Sequence, residues 1–239
     1  MGKAIDEAKA RQDLLEVGRL AYQRGYICGK EGNFSIRLDD KRILTTPADT
    51  CKARLNPDDL VITDLSGQAC AKDAAAGKRP STELKMHLTV YQERPDALAV
   101  VHAHPTTAVG FTVAGLSLEQ CVLPEVVCTL GNIPTAPYAT PSTDEIPDSI
   151  KNLVRDHEAV MLDHHGAITM GTDIWDAYYK LETLEHFAQT LLIANMLGGV
   201  KPLKSSQVEK LLAICASSYG LKRPANEKML LSPTCSDPG

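Results

Sequence analysis

The sequence lacks the features that mark several classes of protein. It contains no run of about 18 apolar residues, so no membrane-spanning helix is predicted. Its 25 basic side chains are outnumbered by 30 acidic ones, which gives a formal net charge of −5. Because nucleic-acid-binding domains usually carry a basic excess, this balance argues against a nucleic-acid partner. The start, MGKAIDEAKARQDLLEVG, is charged and amphipathic, so no signal peptide is predicted.

The cysteines form no motif that indicates a metal site or a disulfide framework. Their number, seven, is odd, their spacings are wide, and no Cys-x-x-Cys pair occurs. This pattern predicts neither a set of disulfides nor a structural zinc knuckle. Scattered free thiols are typical of a reducing compartment, so a cytoplasmic location is predicted.

Helix and strand patterns alternate along the chain without an internal repeat. Apolar spacing predicts a helix near the start, a second that begins near Thr82, and a long one from about Asp173 to Leu197. Short strands are predicted in FSIRL, RILTT, LVITD, ALAVVHAH, VVCTL and IPTAPY, and on both sides of the turn in AVMLDHHGAITMG. This interleaving indicates a single α/β domain, which we place at residues 1–225, with 226–239 as a loose tail.

Two histidines lie one residue apart at the end of the apolar strand VVHAHP. Side chains alternate between the faces of a strand, so His102 and His104 project to the same side. Two imidazoles about 7 Å apart on one strand face can turn towards one ion. A third ligand would come from His164 or His165 in LDHHGAI, because three histidines with one open position commonly hold a catalytic zinc. The alternative is a polar strand end without a metal.

A glutamate and several small polar residues add to this pattern. Ser81 is predicted to cap the helix that begins near Thr82, which places Glu83 in its first turn, where the helix dipole favours an anion. Charge complementarity alone is the alternative explanation for Glu83. Exposed amides and hydroxyls at a helix start form a natural anion pocket, and the alternative is a set of ordinary turns and caps. The residues concerned are Gly32, Asn33, Ser35, Thr45, Thr46, Ser81 and Thr82.

Taken in order, these stretches resemble the class II aldolase/adducin family, which is typified by fuculose-phosphate aldolase. The matching stretches are EGNFSIRL, ILTTPAD, DLVITD, RPSTELKMH, VVHAHP, PYATPST, LDHHGA and SSYGL, from roughly residue 10 to residue 222. The resemblance implies a three-layer α/β/α fold with a central, largely antiparallel sheet. It also implies a homotetramer with active sites between the subunits.

The resemblance implies a role for each residue that matches a family motif. His102, His104 and His165 match zinc ligands, and Glu83 matches the acid/base beside the metal. The positions that match the binding site for the substrate phosphate are Gly32, Asn33, Thr46, Ser81 and Thr82.

Two tyrosines also match family positions. Tyr138 matches a proton donor that a neighbouring subunit supplies, and Tyr219 matches a C-terminal tyrosine that closes over the site. Both roles rest on the resemblance alone.

The activity implied is that of a metal-dependent lyase that cleaves a C–C bond of a small hydroxy-ketone or sugar phosphate through a metal-stabilised enediolate. Glu83 would move the proton on the reacting carbon. A decarboxylase, a 4-epimerase or a dehydratase on the same scaffold is the main alternative, and a non-catalytic adducin-like binding module is a further one. Three histidines favour zinc, although manganese, iron or cobalt can occupy such sites.

The sequence departs from the family pattern at two positions. Where the family usually has Thr-Pro-Ser-Gly, with the glycine amide facing phosphate, this chain has a loop that ends at Asp49. A carboxylate there would repel a phosphate dianion unless Lys52 or Arg54 compensates, which leaves open whether the substrate is phosphorylated. The second departure is His164, where the family usually has Asn; this histidine could be a partner of the metal ligands or merely a tolerated replacement.

Overall fold

A seven-stranded sheet forms the centre of the molecule, for which the computed structural model describes residues 5–218 and residue 230. The strands, in chain order, are β1 Asn33–Arg37, β2 Ile43–Thr45, β3 Val61–Thr63, β4 Ala99–Ala103, β5 Thr135–Ala136, β6 Ala159–Leu162 and β7 Gly166–Gly171. Their order in the sheet is β3-β2-β1-β4-β7-β6-β5, and every neighbouring pair is antiparallel except β5 and β6. The prediction of a largely antiparallel sheet in an α/β fold is confirmed.

Helices cover both faces of this sheet. Those in the described residues are α1 Glu7–Gln23, α2 Ala71–Ala75, α3 Leu84–Glu93, α4 Thr106–Val113, α5 Pro124–Thr129, α6 Glu145–Ile150, α7 Leu153–Asp156, α8 Ile174–Met196 and α9 Ser205–Ser218. Two short 3-10 turns, Lys52–Arg54 and Pro57–Asp59, lie between β2 and β3.

The alternating side chains of β4 divide the interior into two apolar cores. Ala99 and Val101 face the core that α1, α4 and α8 close, and their small side chains let α8 pack closely on the strand. Val100 faces the second core, which α3, α6 and α7 close. The sheet is therefore the middle of three layers, and His102 shares the face of Val100.

The hairpin between β6 and β7 places a short loop, residues 163–165, next to the end of β4. Gly166 follows this loop, and a Cβ there would lie 2.5 Å from the carbonyl oxygen of Ala103 and 2.7 Å from Cδ2 of His104. Only glycine permits so close an approach. The glycine after the two histidines therefore brings the hairpin loop up to the histidines of β4.

The long helix α8 confirms the apolar pattern read from the sequence. Asp173 caps it, because its carboxylate accepts a hydrogen bond from the backbone nitrogen of Asp176 at 2.8 Å. Its buried stripe includes Ile174, Leu181, Leu184, Ala188 and Leu191. Among residues 5–218, none of the helices combines the length and the apolar character needed to cross a membrane.

The strand predicted for VVCTL is wrong, because these residues belong to helix α5. Pro124 occupies the first turn, where its missing N–H costs nothing and its fixed φ suits a helix. Val126 and Val127 are both buried by neighbouring helices, so tertiary packing overrides the β-propensity of the two valines.

A disulfide between two described helices contradicts the prediction that the cysteines remain unpaired. Cys128 in α5 is bonded to Cys215 in α9, with the two Cα atoms 6.0 Å apart. The partners are 87 residues apart in the chain, so their spacing gave no sign that the two helices pack together. Cys28, Cys51 and Cys70 are free thiols.

Candidate active site

Three histidines meet where the end of β4 lies beside the hairpin loop. The ring centroids of His102, His104 and His165 are 4.9 Å apart in every pair, and one nitrogen from each lies within 4.8 Å of the others. The Nε2 atoms of His102 and His104 are 3.0 Å apart. Two nitrogens that share a tetrahedral zinc lie about 3.3 Å apart, so this group could hold one metal ion.

The protonation state of these imidazoles also suits a metal. Burial lowers the pKa of both His102 and His104, and each ring opposes a charge on its neighbours. The rings of His102 and His104 are therefore neutral, as metal ligands must be. His102 Nδ1 lies 3.0 Å from the carbonyl oxygen of Ala167 and donates to it, which leaves the lone pair on Nε2 directed towards the other rings.

The neighbouring His164 lies outside this group. It adopts a left-handed backbone conformation with φ of 55°, its side chain is exposed, and its Nδ1 lies 2.8 Å from Oδ1 of Asp163. His and Asn are among the non-glycine residues enriched at positive φ. The geometry of the turn thus explains why a histidine can stand where the family usually has Asn, and it is His165 that approaches His102 and His104.

Glu83 lies directly beside the histidines. Its Oε1 is 3.2 Å from Nε2 of His165, its Oε2 is 3.5 Å from Nε2 of His102, and the side-chain amide of Asn33 donates to Oε2 at 2.8 Å. Burial by itself would raise the pKa of the Glu83 carboxyl, but the bond with His165, the field of His102 and the Asn33 amide together lower it. Glu83 is therefore a carboxylate, in a position to accept a proton next to a metal.

The local structure around Glu83 differs from the prediction. Helix α3 begins at Leu84, so Glu83 occupies the N-cap position and does not lie in the first turn. Ser81 is not the cap; its hydroxyl accepts a hydrogen bond from the backbone nitrogen of Glu83 at 3.3 Å. Because its side chain makes no capping hydrogen bond, the Glu83 carboxylate can extend to Asn33 and the histidines.

A buried chain of hydrogen bonds holds Asn33 in place, and sequence reasoning missed it. His87 Nε2 donates to Oδ1 of Asn33 at 2.6 Å, which turns the amide NH2 towards Glu83. Because burial lowers the pKa of His87 to about 3, the ring is neutral and its Nδ1 must accept from Ser35 Oγ at 2.7 Å. Ser35 in turn accepts from the Tyr91 hydroxyl at 2.7 Å. The only sequence signal was the position of His87 one turn after Glu83.

We expect His87 to make the protein less stable in acid. The unfolded chain binds a proton at this ring below about pH 6.5, whereas the folded protein resists protonation until about pH 3. Between these values, the free energy of unfolding should fall by up to about 1.4 kcal/mol for each unit by which the pH is lowered, because of this single proton. Urea unfolding at several pH values should give a shallower slope for His87→Gln than for the unmodified protein. Identical slopes would contradict this role.

Two loops that carry predicted substrate-binding residues are joined by backbone hydrogen bonds. The backbone nitrogen of Ala48 donates to the carbonyl oxygen of Arg79 at 2.9 Å. The backbone nitrogen of Ser81 donates to the carbonyl oxygen of Thr46 at 3.3 Å. The Thr46 hydroxyl is buried and accepts from the backbone nitrogen of Phe34 at 3.2 Å. Thr82, by contrast, is within hydrogen-bonding distance of Ser142, with 3.0 Å between the hydroxyl oxygens.

Gly32 has a structural reason to be glycine. Its φ is +70°, and a Cβ there would lie 2.5 Å from Cγ2 of Ile27 and 2.9 Å from the carbonyl oxygen of His102. The loop before β1 can therefore lie against β4 only because this residue has no side chain. This close approach brings Asn33, the next residue, into register with His102.

Asp49 keeps the loop conformation and turns its charge outwards. Its φ is +56°, a left-handed conformation that aspartate tolerates better than most residues, at the position where the family usually has glycine. Its carboxylate is exposed and forms an ion pair with Arg79 at 3.2 Å. The repulsion expected from a carboxylate in this loop is therefore reduced.

The two tyrosines are not part of this cluster within the described chain. Tyr138 follows β5, is 62% exposed and forms no hydrogen bond with residues 5–218 or 230. Tyr219 lies outside the described residues.

Two further histidines lie away from the cluster. His186 on α8 is exposed. His157, which follows α7, is buried, and its Nδ1 lies 2.7 Å from the carbonyl oxygen of Leu153.

Comparison with known proteins gives a consistent family. The sequence profile described as "Class II Aldolase and Adducin N-terminal domain" matches residues 12–192. A 3-oxo-tetronate 4-phosphate decarboxylase of Pectobacterium atrosepticum is 31% identical over 191 residues, which cover 78% of this chain and 85% of the relative. An L-fuculose phosphate aldolase of Methanococcus maripaludis is 34% identical over 185 residues, which cover 77% of this chain and 97% of the relative.

Solved structures agree with this result. YgbL from Klebsiella pneumoniae has a TM-score of 0.78 at 28% identity and covers 87% of this chain and 99% of its own. L-fuculose-1-phosphate aldolase from Thermus thermophilus has a TM-score of 0.71 at 31% identity and covers 80% of this chain and 96% of its own. The three-layer arrangement predicted from the resemblance is confirmed. The chain thus belongs to the class II aldolase/adducin family, as an enzyme of the aldolase or decarboxylase type.

Proposed function

We propose that this protein is a zinc-dependent lyase that cleaves a C–C bond of a small, phosphorylated hydroxy-carbonyl compound, in the manner of an aldolase. One observation carries the proposal: three imidazoles meet next to the Glu83 carboxylate, with Nε2 of His165 only 3.2 Å from Oε1. A bound divalent ion supplies Lewis-acid stabilisation of the negative charge that develops on substrate oxygens when the bond breaks.

The residues of the chain have separate roles in this proposal. His102, His104 and His165 hold the ion, and the three-histidine set favours zinc over manganese, iron or cobalt. Glu83 accepts or returns the proton on the reacting carbon. Asn33 keeps the carboxylate aimed at that carbon, because its amide donates to Oε2 at 2.8 Å.

The substrate phosphate is proposed to bind beside the ion. Both an aldolase and a decarboxylase among the relatives have names that specify a phosphorylated substrate, which supports this class. The outward position of Asp49, in its ion pair with Arg79, also supports it. The residues proposed to hold the phosphate, with backbone amides of the two joined loops, are Gly32, Asn33, Thr46, Ser81 and Thr82.

Decarboxylation is the second candidate reaction. It is favoured by the similarity to the 3-oxo-tetronate 4-phosphate decarboxylase, which covers 78% of this chain. Loss of CO2 from a 3-oxo acid leaves negative charge next to a carbonyl, as cleavage of an aldol does, so the same ligands and the same carboxylate serve both reactions. Epimerisation has weaker support, since the solved YgbL structure is described as an aldolase, epimerase or decarboxylase, and dehydration has none among the named relatives.

The active assembly is proposed to be a homotetramer in which Tyr138 serves a neighbouring subunit. The 62% exposure of this tyrosine supports that role, as does a set of exposed apolar side chains. That set includes Val113, Leu116, Leu192, Ile193, Met196 and Leu197. Light scattering on purified protein should give four times the chain mass of 25.9 kDa, and a monomer would contradict the proposal.

Three predictions from the sequence stay proposals. Tyr219 is proposed to close over the site from the C-terminal segment. Residues 1–225 are proposed to form one domain, followed by a tail at 226–239; the helices on both faces of a continuous sheet support the single domain. A cytoplasmic location is also retained as a proposal, although the Cys128–Cys215 bond does not support a reducing compartment.

A substrate screen tests the proposed function. Hydroxy-ketones and 3-oxo acids, each with and without a phosphate, are incubated with metal-loaded protein while aldehyde and CO2 are measured. We expect release of an aldehyde from a phosphorylated hydroxy-ketone. Release of CO2 alone from a phosphorylated 3-oxo acid would replace the aldolase by the decarboxylase. Turnover of only unphosphorylated compounds would remove the phosphate from the proposal.

A further inference from the structure

A buried lysine lies at the edge of the candidate active site. Lys52 begins the 3-10 turn that follows the Asp49 loop, and the residue is only 4% exposed. Helix α1 packs tightly on it, since a Cβ at Gly18 would lie 3.3 Å from Cβ of Lys52. Its ammonium donates a hydrogen bond to the carbonyl oxygen of Lys30, in the loop that leads through Gly32 to β1. The charge is thus directed at the loop that immediately precedes Asn33.

In the part of the chain that the structure describes, this charge has no counter-ion. Within residues 5–218 and residue 230, no carboxylate lies within ion-pairing distance of the Lys52 ammonium, and one carbonyl oxygen accepts one of its three N–H bonds. Burial of an unpaired cation is unfavourable, because the ammonium loses its hydration without gaining an opposite charge. Burial lowers the pKa of Lys52 to about 8. The negative charges of Glu83, Cys51, Asp49 and Glu31 oppose this shift from longer range.

The nearest acidic groups are engaged elsewhere. Asp49 pairs with Arg79, Glu83 faces His165 and His102, and Glu31 lies 3.6 Å from Nδ1 of His104. A structural lysine would be expected to pair with one of them. The unpaired ammonium is more simply explained as a group that receives its anion from the substrate.

We propose that the Lys52 ammonium binds the phosphate of the substrate beside Asn33 and so selects for phosphorylated compounds. This inference rests on the proposed function and adds a residue that neither the family resemblance nor the sequence motifs assign to substrate binding. Lysine serves as a point charge for phosphate, with N–H bonds available for its oxygens. It also supplies the positive charge that the Asp49 loop itself lacks.

Calorimetric titration of the metal-loaded protein with inorganic phosphate tests the proposal without requiring turnover. We expect Lys52→Met to weaken phosphate binding at least tenfold, whereas Lys52→Arg, which keeps the charge, changes it less than threefold. Lys41→Met, which removes one exposed lysine, serves as the matched control for net charge and should bind as the unmodified protein does.

Two readouts separate this role from a structural one. Replacement of a buried unpaired charge by a side chain of similar length should leave the melting temperature of Lys52→Met unchanged or higher. Between about pH 7.5 and 9.5, phosphate affinity should fall in the unmodified protein as the ammonium loses its proton, and it should stay level in Lys52→Arg.

Equal phosphate affinity in Lys52→Met and the unmodified protein would overturn the inference, as would an unmodified protein that binds no phosphate. Lys52-dependent phosphate binding in a protein that cleaves no C–C bond would support it and contradict the proposed function instead.

Discussion

Replacement of His102 by alanine is expected to abolish both metal binding and C–C cleavage. His102 is fully buried, and its Nδ1 bond to Ala167 fixes the Nε2 lone pair towards the other two rings. Changes to groups that merely orient a ligand weaken metal binding by about 10- to 100-fold, so loss of a ligand should exceed that range. Because a bound ion stabilises the transition state by several kcal/mol, turnover should fall at least about 1000-fold.

The matched control is His164→Ala, in the loop that carries His165. Its side chain is exposed and lies beside Asp163, so this variant should keep about one ion per chain and most of its activity. Metal content by mass spectrometry and turnover on the same preparations give both quantities. A His102→Ala protein with normal metal and turnover, or a His164→Ala protein that has lost both, would show that the ligand set is wrong.

Replacement of Glu83 by glutamine should separate proton transfer from metal binding. Glutamine has the shape of glutamate, so its side chain can still lie beside Asn33 and His165. It cannot accept the proton from the reacting carbon. A positioned acid/base typically contributes 100- to 10,000-fold, so turnover should fall by about that factor while the bound metal remains.

The sharper readout is proton exchange on the substrate. In D2O, the unmodified protein should exchange the proton on the carbon next to the carbonyl, and NMR should show no such exchange with Glu83→Gln. Glu31→Gln is a suitable control, because Glu31 also lies near a ligand, 3.6 Å from Nδ1 of His104, but is half exposed. Full exchange by Glu83→Gln would assign the acid/base role to another group.

The histidine cluster could be predicted from the sequence because local rules determine most of it. Strand alternation put His102 and His104 on one face, and the hairpin of β6 and β7 was readable from its apolar runs and its turn. The choice between His164 and His165 could not be made from spacing. It depends on which residue of the turn takes a positive φ, and His164 does.

Features that depend on contacts between distant segments escaped prediction. The strand expected at VVCTL is a helix because neighbouring helices bury its valines. The cysteines of the disulfide are 87 residues apart. The hydrogen bonds that run from Tyr91 through Ser35 to His87 join α3 to β1, and no sequence motif marks them.

The electrostatic environment of the charged residues at the site also depends on such contacts. Sequence alone raised the concern that Asp49 would repel a phosphate, whereas its ion pair with Arg79 turns the charge away. The sequence identifies Lys52 only as one of two basic residues that could compensate the Asp49 charge. Its burial, and its lack of a counter-ion among residues 5–218 and 230, depend on how α1 packs over the turn, which cannot be predicted from residue order.

The most direct test of the central claim is a metal titration of the reaction itself. Protein stripped with a chelator is reloaded stepwise with zinc, and C–C cleavage of a phosphorylated hydroxy-carbonyl substrate is followed by NMR at each step. The three-histidine site predicts no cleavage without metal and a linear rise that ends at about one ion per chain. Cleavage that persists in the stripped protein, or that is unchanged in His102→Ala, would contradict it.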